Sequence, residues 1–303
     1  MKNKLVMTLL VRDEEDILEN NICFHLNNGV DFIVAVDNGS IDKTPNILEK
    51  YQKKGVLSYK VIKKHTYEQA TWVSQMAKEA VNEFGATHLF HCDADEFWYP
   101  TSGNLKTHLP DNNEVFFVNV INYLPTIDKN QKKFNFKDCK FATINPLPYP
   151  NNLNKFVSSK ILLYQYPPKI ITTNQFLRIS AGNHGIICSE PFLKKTANNV
   201  FIYHFPVRNY QHFLKRVVKS GKSMINSPIK DPNINWHIRS WYEKYLKGDL
   251  SSEYDLLSLR DKKSLRLHLL QGTVKNIKIP RRIRYARLLF QLKYIIKERI
   301  FLK

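Results

Sequence analysis

The sequence predicts an α/β protein: a mostly parallel, doubly wound sheet flanked by helices, followed by a basic helical extension. Three observations predict it. Up to Cys92, continuous apolar runs alternate with segments of helical period at the spacing of βαβ units. Carboxylates stand just past the ends of two such runs, at Asp37 and at Asp93, Asp95 and Glu96, where open α/β sheets take ligands. Near residue 226 the pattern changes to clustered aromatics and then to basic helices. The expected division is therefore 1–225, with halves 1–100 and 101–225, and 226–303 for the extension.

In chain order, Lys4 to Val11 reads as a buried strand. The run is too short, and too closely followed by Arg12-Asp13-Glu14-Glu15-Asp16, to be a signal peptide. Asp13 to Asn28 reads as a helix with acid in its first turn and Gly29 as its stop. Asp31 to Val36 is a second strand, and Asp37-Asn38-Gly39-Ser40 a turn. Asp42 and Pro45 open a helix running to about Lys54. Val56 to Ile62, Tyr67 to Phe84 and Thr87 to Cys92 follow as strand, helix and strand. The last of these leads into Asp93-Ala94-Asp95-Glu96. If the strand persists, Asp93 and Asp95 share a face, and two hard oxygen donors on one side suit Mg²⁺ or Mn²⁺. An acidic turn capping the next helix is the alternative.

Four ordered blocks then carry a resemblance. They are Leu10 to Leu18, His25 with Gly29-Val30-Asp31, Val36-Asp37-Asn38-Gly39-Ser40 with Asp42 and Thr44, and Asp93 to Phe97. Together the blocks resemble the family 2 glycosyltransferases of GT-A fold, in the bacterial branch with an Asp-x-Asp-Glu-Phe signature. The match covers about residues 4–100 and, more loosely, 180–222. It departs at Asp13, where the family often has Asn. The resemblance implies a GT-A, Rossmann-like domain that uses a nucleotide-sugar donor, with UDP-sugar as the expected one, and Mn²⁺ or Mg²⁺. Val11, Arg12 and Glu14 would border the nucleotide, and Asp37 would accept a hydrogen bond from the base. Asp93 would hold ribose or metal, and Asp95 the metal. Turn formation stands beside ligand binding for Asp37 and Asp42, and dipole stabilisation beside ligand contact for Glu14.

The second half is expected to hold the acceptor side. Glu114 to Leu124 is a strand, and residues 125–156 form a long connection rich in Asn, Lys and Pro. Ser158 to Gln165 and Lys169 to Thr173 read as short strands. Ser180-Ala181-Gly182-Asn183-His184-Gly185 marks a tight backbone feature. Val200 to Tyr203 is a last strand, ending at His204, and Asn209 to Ser220 a helix stopped by Gly221. The resemblance makes His204 the candidate to complete the metal site, with His184 competing for it or walling an acceptor pocket. Arg208, Lys215 and Lys219 fall near one helical face, for diphosphate, an acidic acceptor or solvent. If the reaction is inverting, the base comes from Asp128, Asp138, Glu190 or His184, with Glu190 favoured.

Charge bounds the partners. The formal net charge is +19, and from Cys139 to Lys230 thirteen Lys or Arg face one acid, Glu190. The tail Arg281 to Lys303 carries eight basic residues and one acid, Glu298. Such asymmetry points to an anionic partner. A glycan or glycolipid acceptor, a charged surface polysaccharide, capsule or lipopolysaccharide among them, fits it, as does the anionic inner face of the cytoplasmic membrane. The tail reads either as a membrane-surface helix or as a packed helix with a basic outer face. Nothing resembles a zinc, HTH or RRM pattern, so nucleic acid is not the expected partner. An Mg²⁺-dependent nucleic-acid-binding protein or nuclease is the alternative function, and a non-catalytic scaffold a third. No apolar run approaches the ~18 residues that span a bilayer, and four scattered cysteines read as reduced thiols of a cytoplasmic protein.

Overall fold

A computed structural model describes residues 3–62, 69–150, 157–176, 178–180, 183–188, 190–225 and 235–301. The expected starts of the helix at Tyr67 and of the segment after Ser227 lie outside the described residues, as do Ala181 and Gly182. The expected α/β architecture is present. In chain order come β1 (Leu5–Val11), α1 (Leu18–Asn27), β2 (Phe32–Asp37), α2 (Thr44–Lys53), β3 (Leu57–Val61), α3 (Gln69–Asn82), β4 (His88–Asp93), β5 (Glu96–Pro100) and β6 (Glu114–Asn122). Next are β7 (Phe141–Thr143), β8 (Lys169–Thr173), β9 (Arg178–Ile179), β10 (Ile186–Ile187) and β11 (Leu193–His204). The chain ends with α4 (Tyr210–Ile225), α5 (Trp236–Leu246), α6 (Leu250–Leu257), α7 (Lys262–Leu270), β12 (Val274–Asn276), α8 (Arg281–Arg284) and α9 (Ala286–Phe301).

Eight strands form one sheet in the order β3-β2-β1-β4-β8-β6-β11-β5. β1 lies parallel to β2 and to β4, and β2 parallel to β3, while β8 runs antiparallel to β4 and β6. Of the parallel strands, β1, β2 and β4 are buried almost throughout, which is why they read as unbroken apolar runs. One face is sealed by α3 through Val73, Met76, Ala77 and Ala80 packed on Val6, Val34 and Leu89.

The chain forms two compact units. The first comprises residues 1–120, 167–203 and 280–303; the second, 121–166 and 204–279. These limits cut across the expected boundary at 225, and the terminal segment belongs with the first unit. Within that unit, α8 and α9 pack on α1. Arg287 pairs with Glu19 at 2.8 Å, Arg282 bonds to Asn28 Oδ1 and the Pro100 carbonyl, and Asn20 and Asn27 donate to the carbonyls of Ile283 and Ala286.

In the second unit a core of Phe213, Val217, Trp236, Trp241, Tyr254 and Leu257 joins α4, α5 and α6. Glu253, buried, accepts hydrogen bonds from Ser158 Oγ, Trp241 Nε1 and Lys244 Nζ. Two expectations are corrected here. Ser158–Leu163 is a 3₁₀ helix rather than a strand, with Ile161, Leu162 and Leu163 buried and a short apolar run carrying no period to tell the two apart. Gly221 does not stop α4, which runs on to Ile225; a Cβ there would lie 2.1 Å from the Tyr242 ring, so the missing side chain lets α5 approach.

Candidate active site

The first unit gathers its chemistry at the C-terminal ends of the parallel strands. Register pairs Val11 with Asp37 and Leu10 with Asp93, so both aspartates and the end of β1 stand in one row. The order β3-β2-β1-β4 makes β1/β4 the point where the chain reverses its direction of sheet growth, the place where open α/β sheets leave a crevice. Asp37 is buried, and its Oδ1 accepts from the Ser40 backbone at 2.9 Å and the Ser40 hydroxyl at 2.6 Å. It therefore holds the Asn38-Gly39-Ser40 turn, its alternative role. Arg12 follows β1. Burial lowers its pKa against the raising charge of Asp37, and its Nε has no hydrogen-bond partner among the described residues.

Residues 12–17 are a loop and not the first turn of a helix, since α1 begins at Leu18 with Glu19 as its only early acid. That loop is tied to the loop after β2. Ser40 Oγ accepts from the Asp13 N–H, Asp13 Oδ1 from Ile41, Thr44 Oγ1 from Glu14, Asp42 Oδ2 from Glu15, and Glu15 Oε2 from Lys43. Asp42 also accepts from the Thr44 N–H at 2.8 Å, a local turn role. The Glu14 carbonyl receives the N–H groups of Ile17 and Leu18, so its main chain starts the helix. The acids of this segment hold two strand-end loops in register.

The Asp93–Glu96 segment departs from expectation. β4 ends at Asp93, and Ala94-Asp95 is a turn into β5, so Asp93 and Asp95 do not share a strand face. The turn is built on a buried cation that sequence reasoning missed. Lys169, 1 % exposed at the start of β8, places Nζ 2.7 Å from Asp93 Oδ2 and 2.5 Å from Glu96 Oε1. Burial works to remove its proton, but the charges of Asp93 and Glu96 prevail and hold its pKa above the ordinary lysine value. Burial would likewise raise the Asp93 pKa; Lys169 and His91 outweigh it and hold Asp93 well below the carboxylate range. His91 Nε2 lies 3.6 Å from Asp93 Oδ1.

The backbone of the turn is held by α1. Asn21 Nδ2 donates to the carbonyls of Glu96 at 2.7 Å, Ala94 at 3.1 Å and Asp93 at 3.3 Å. His25, fully buried, donates from Nδ1 to the Asn21 carbonyl and accepts the Trp98 N–H at Nε2. Burial lowers the His25 pKa to about 3, so the ring is neutral and the donor–acceptor pattern is fixed. Asn21 carried no signal of its own. Lys169 did: a lysine that opens a buried strand needs a carboxylate partner.

The resemblance places a divalent cation at this turn. Three carboxylates, Asp93, Asp95 and Glu96, against the ammonium of Lys169 leave a formal charge of −2. Asp93 is 35 % exposed at its side chain, while Asp95 is buried. Among the described residues no group of three or more His, Cys, Asp or Glu is arranged to hold a metal. One or two protein carboxylates with phosphate oxygens completing the shell is what Mg²⁺ asks for, and Asp93 with Asp95 fits that donor set.

The loop before β10 is brought to the same end of the sheet. Asn183, buried with φ +60°, donates from Nδ2 to the carbonyls of His91 at 3.2 Å and Ile170 at 2.9 Å. His184 donates from Nδ1 to the Pro168 carbonyl at 3.1 Å. Glu190 goes elsewhere. It is exposed on a cavity of about 400 Å³ shared with Glu114, Thr172, Thr173 and Cys188. Thr173 pairs with His88 at the opposite end of β4, five residues from Asp93, roughly 16 Å at the rise of a strand. Glu190 is therefore not placed to serve chemistry at the carboxylate turn.

Asp138, His204, Arg208 and Lys215 belong to the second unit. His204, buried at the end of β11, bonds through Nδ1 to Asn122 Oδ1 at 2.8 Å and packs on Tyr166. Arg208 is buried and Lys215 exposed. Asp138 accepts a hydrogen bond from Gln131 Nε2, and Asp128 accepts the Asn130 N–H.

No family model and no curated protein matches the chain. Among solved structures it is similar to S. aureus TarS 1-349, at 11 % identity and TM-score 0.40, over 96 % of this chain and 92 % of that one. The same protein in complex with UDP-GlcNAc aligns at 12 % identity and TM-score 0.41, over 89 % and 77 %. A 4-diphosphocytidyl-2C-methyl-D-erythritol synthase aligns at 13 % identity and TM-score 0.34, over 57 % and 76 %.

Proposed function

We propose that the chain is a metal-dependent, inverting glycosyltransferase using a nucleotide-sugar donor, with UDP-sugar the first choice. The observation that carries this is the row at the strand ends: Asp37, Val11 and the Asp93–Glu96 turn around the β1/β4 switch point. The motif blocks supply the nucleotide and the metal to that reading. Val11, Arg12 and Glu14 border the nucleotide, and Asp37 accepts from the base. Asp93 and Asp95 would hold Mn²⁺ or Mg²⁺, whose chemistry there is Lewis-acid neutralisation of the leaving diphosphate. The acceptor oxygen attacks the anomeric carbon, the bond to the diphosphate breaks with its electron pair, and His184 takes the hydroxyl proton. His184 replaces Glu190 in this role because it lies on the Asn183–Lys169 side of the sheet.

The charge supports an anionic surface glycan or glycolipid as acceptor, used by a peripheral protein at the inner face of the cytoplasmic membrane. Arg208 and Lys215 are candidates for diphosphate or acceptor charge, and His204 and Asp138 are the second unit's remaining site candidates.

The test is nucleotide release across a panel of nucleotide sugars with Mn²⁺. Asp95→Asn is expected to abolish release, and EDTA to do the same to the wild type. His184→Gln is expected to lower turnover by ~10²–10⁴ with UDP binding unchanged, while Glu190→Gln keeps wild-type turnover. Wild-type turnover by Asp95→Asn in EDTA overturns the metal assignment; loss of turnover in Glu190→Gln alone returns the base to Glu190.

A further inference from the structure

The terminal α8–α9 segment carries two apolar stripes. Ile283, Ala286, Phe290 and Tyr294 form the inner one, which is packed: Ile283 and Ala286 are fully buried, the Phe290 ring lies 5.7 Å from Tyr51, and Lys54 sits 3.9 Å over the Tyr294 ring. Tyr285, Leu288, Leu292 and Ile295 form the outer one, at spacings of three, four and three residues. They are 41 %, 54 %, 49 % and 48 % exposed. On α9, Leu288 and Leu292 follow Ala286 and Phe290 by two residues, about 200° on a helix, so they face away from the body on which the inner stripe is packed. A basic packed helix was expected to turn charge outward. This one turns leucine outward and spends part of its charge inward, with Arg287 on Glu19, Arg282 over Tyr99, and Lys293 donating to the Asn27 carbonyl.

Basic residues frame the exposed stripe. Arg281 is exposed on the turn before it, and Arg284 lies over the Tyr285 ring at 5.4 Å. The sequence adds Lys297, Arg299 and Lys303 beyond Ile295, against the single acid Glu298. A second copy of this helix would bring these like charges together, where paired helices need opposite charges beside the seam. An apolar stripe bordered by cations, on a helix that no described contact covers on that side, fits lipid chains and anionic headgroups.

We propose that Tyr285, Leu288, Leu292 and Ile295, with Arg281 and Arg284, form the face by which this protein docks on an anionic membrane. The proposal rests on the membrane reading above and gives it a surface. The α8–α9 segment lies in the plane of the headgroups, held to the first unit by its inner stripe. No described helix is long and apolar enough to cross a bilayer, so attachment is peripheral.

The test uses the full chain and vesicles of phosphatidylcholine alone or with phosphatidylglycerol. Wild type is expected to co-sediment with the anionic vesicles at low salt and to be released at high salt. Leu288→Ser/Leu292→Ser and, separately, Arg281→Gln/Arg284→Gln are each expected to weaken partition at least about tenfold, with thermal midpoint and UDP titration unchanged. Failure of the wild type to bind anionic vesicles overturns the membrane reading and this face together. Equal partition by wild type and the leucine pair variant overturns the face alone. A wild-type dimer that the leucine pair variant dissociates shows a second copy on the face instead. Loss of UDP binding by the wild type bears on the transferase reading and not on this one.

Discussion

At Lys169 a buried ammonium meets two carboxylates that lie 73 and 76 positions earlier in the chain. Removing one partner of a buried ion pair leaves a charge without compensation, which costs about 3–5 kcal/mol; removing a balanced pair is close to neutral. Lys169→Met is therefore expected to destabilise by that amount, because Glu96 is buried and cannot hydrate. Lys169→Met/Glu96→Gln is expected to recover most of it, since Asp93, at 35 % side-chain exposure, can reach water. Urea melts of the two variants decide this: a double variant no more stable than the single shows that the pair is not what holds the turn. In the double variant Asp93 has lost its clamp, so UDP affinity is expected to stay reduced. Asp37 and Asp93 were legible as strand-end carboxylates from local sequence. The need of Lys169 for a carboxylate was legible too, but which carboxylates, and the role of Asn21, were not, because sheet order and the packing of α1 set those partners and no local pattern encodes them.

Among the elements, α4 and α5 show how a local rule yields to packing. Glycine in a helix interior costs about 1 kcal/mol relative to alanine, so Gly221→Ala would stabilise an isolated helix. Here the Tyr242 ring occupies the space, with ring atoms at 2.1 and 2.2 Å from a Cβ. Overpacking of this kind costs about 1–3 kcal/mol, so Gly221→Ala is expected to lower the thermal midpoint. Gly221→Ala/Tyr242→Ala is expected to regain part of the loss; a single variant as stable as wild type would show that the helices move apart freely. The same competition explains which elements could be read. β1, β2 and β4 bury nearly every side chain and announce themselves by composition alone. The start of α1 was misread because Asp13, Glu14 and Glu15 look like a first helical turn, whereas they bond to Ser40, Ile41, Lys43, Asp42 and Thr44 across the strand ends. The 3₁₀ helix at Ser158–Leu163 escaped because a short apolar run has no period to measure.

Across the molecule, buried neutral histidines meet a large positive charge. His25 is fully buried, and burial lowers its pKa to about 3. In the unfolded chain it titrates near 6.5. Between those values the unfolded state binds a proton that the folded state refuses, so unfolding free energy rises with pH and falls on acidification, by up to about 1.4 kcal/mol per pH unit for this residue. His88 and His91 in the first unit are lowered by burial in the same direction, and so is His237 in the second, where Arg216 adds to the effect. The net charge of +19 acts with them, because each proton gained adds to self-repulsion. Salt separates the two contributions: it screens the repulsion between exposed charges but not the burial of an imidazole. The thermal midpoint is therefore expected to fall steadily from pH 7.5 to 5, and added sodium chloride to raise it at every pH while leaving the slope with pH largely in place. A midpoint flat across that range would show that the folded state admits the proton at His25, and with it that the Asn21–His25–Trp98 linkage holding the carboxylate turn is looser than its hydrogen bonds require. A slope that salt abolishes would assign the acid loss to surface repulsion and remove the buried histidines from the account.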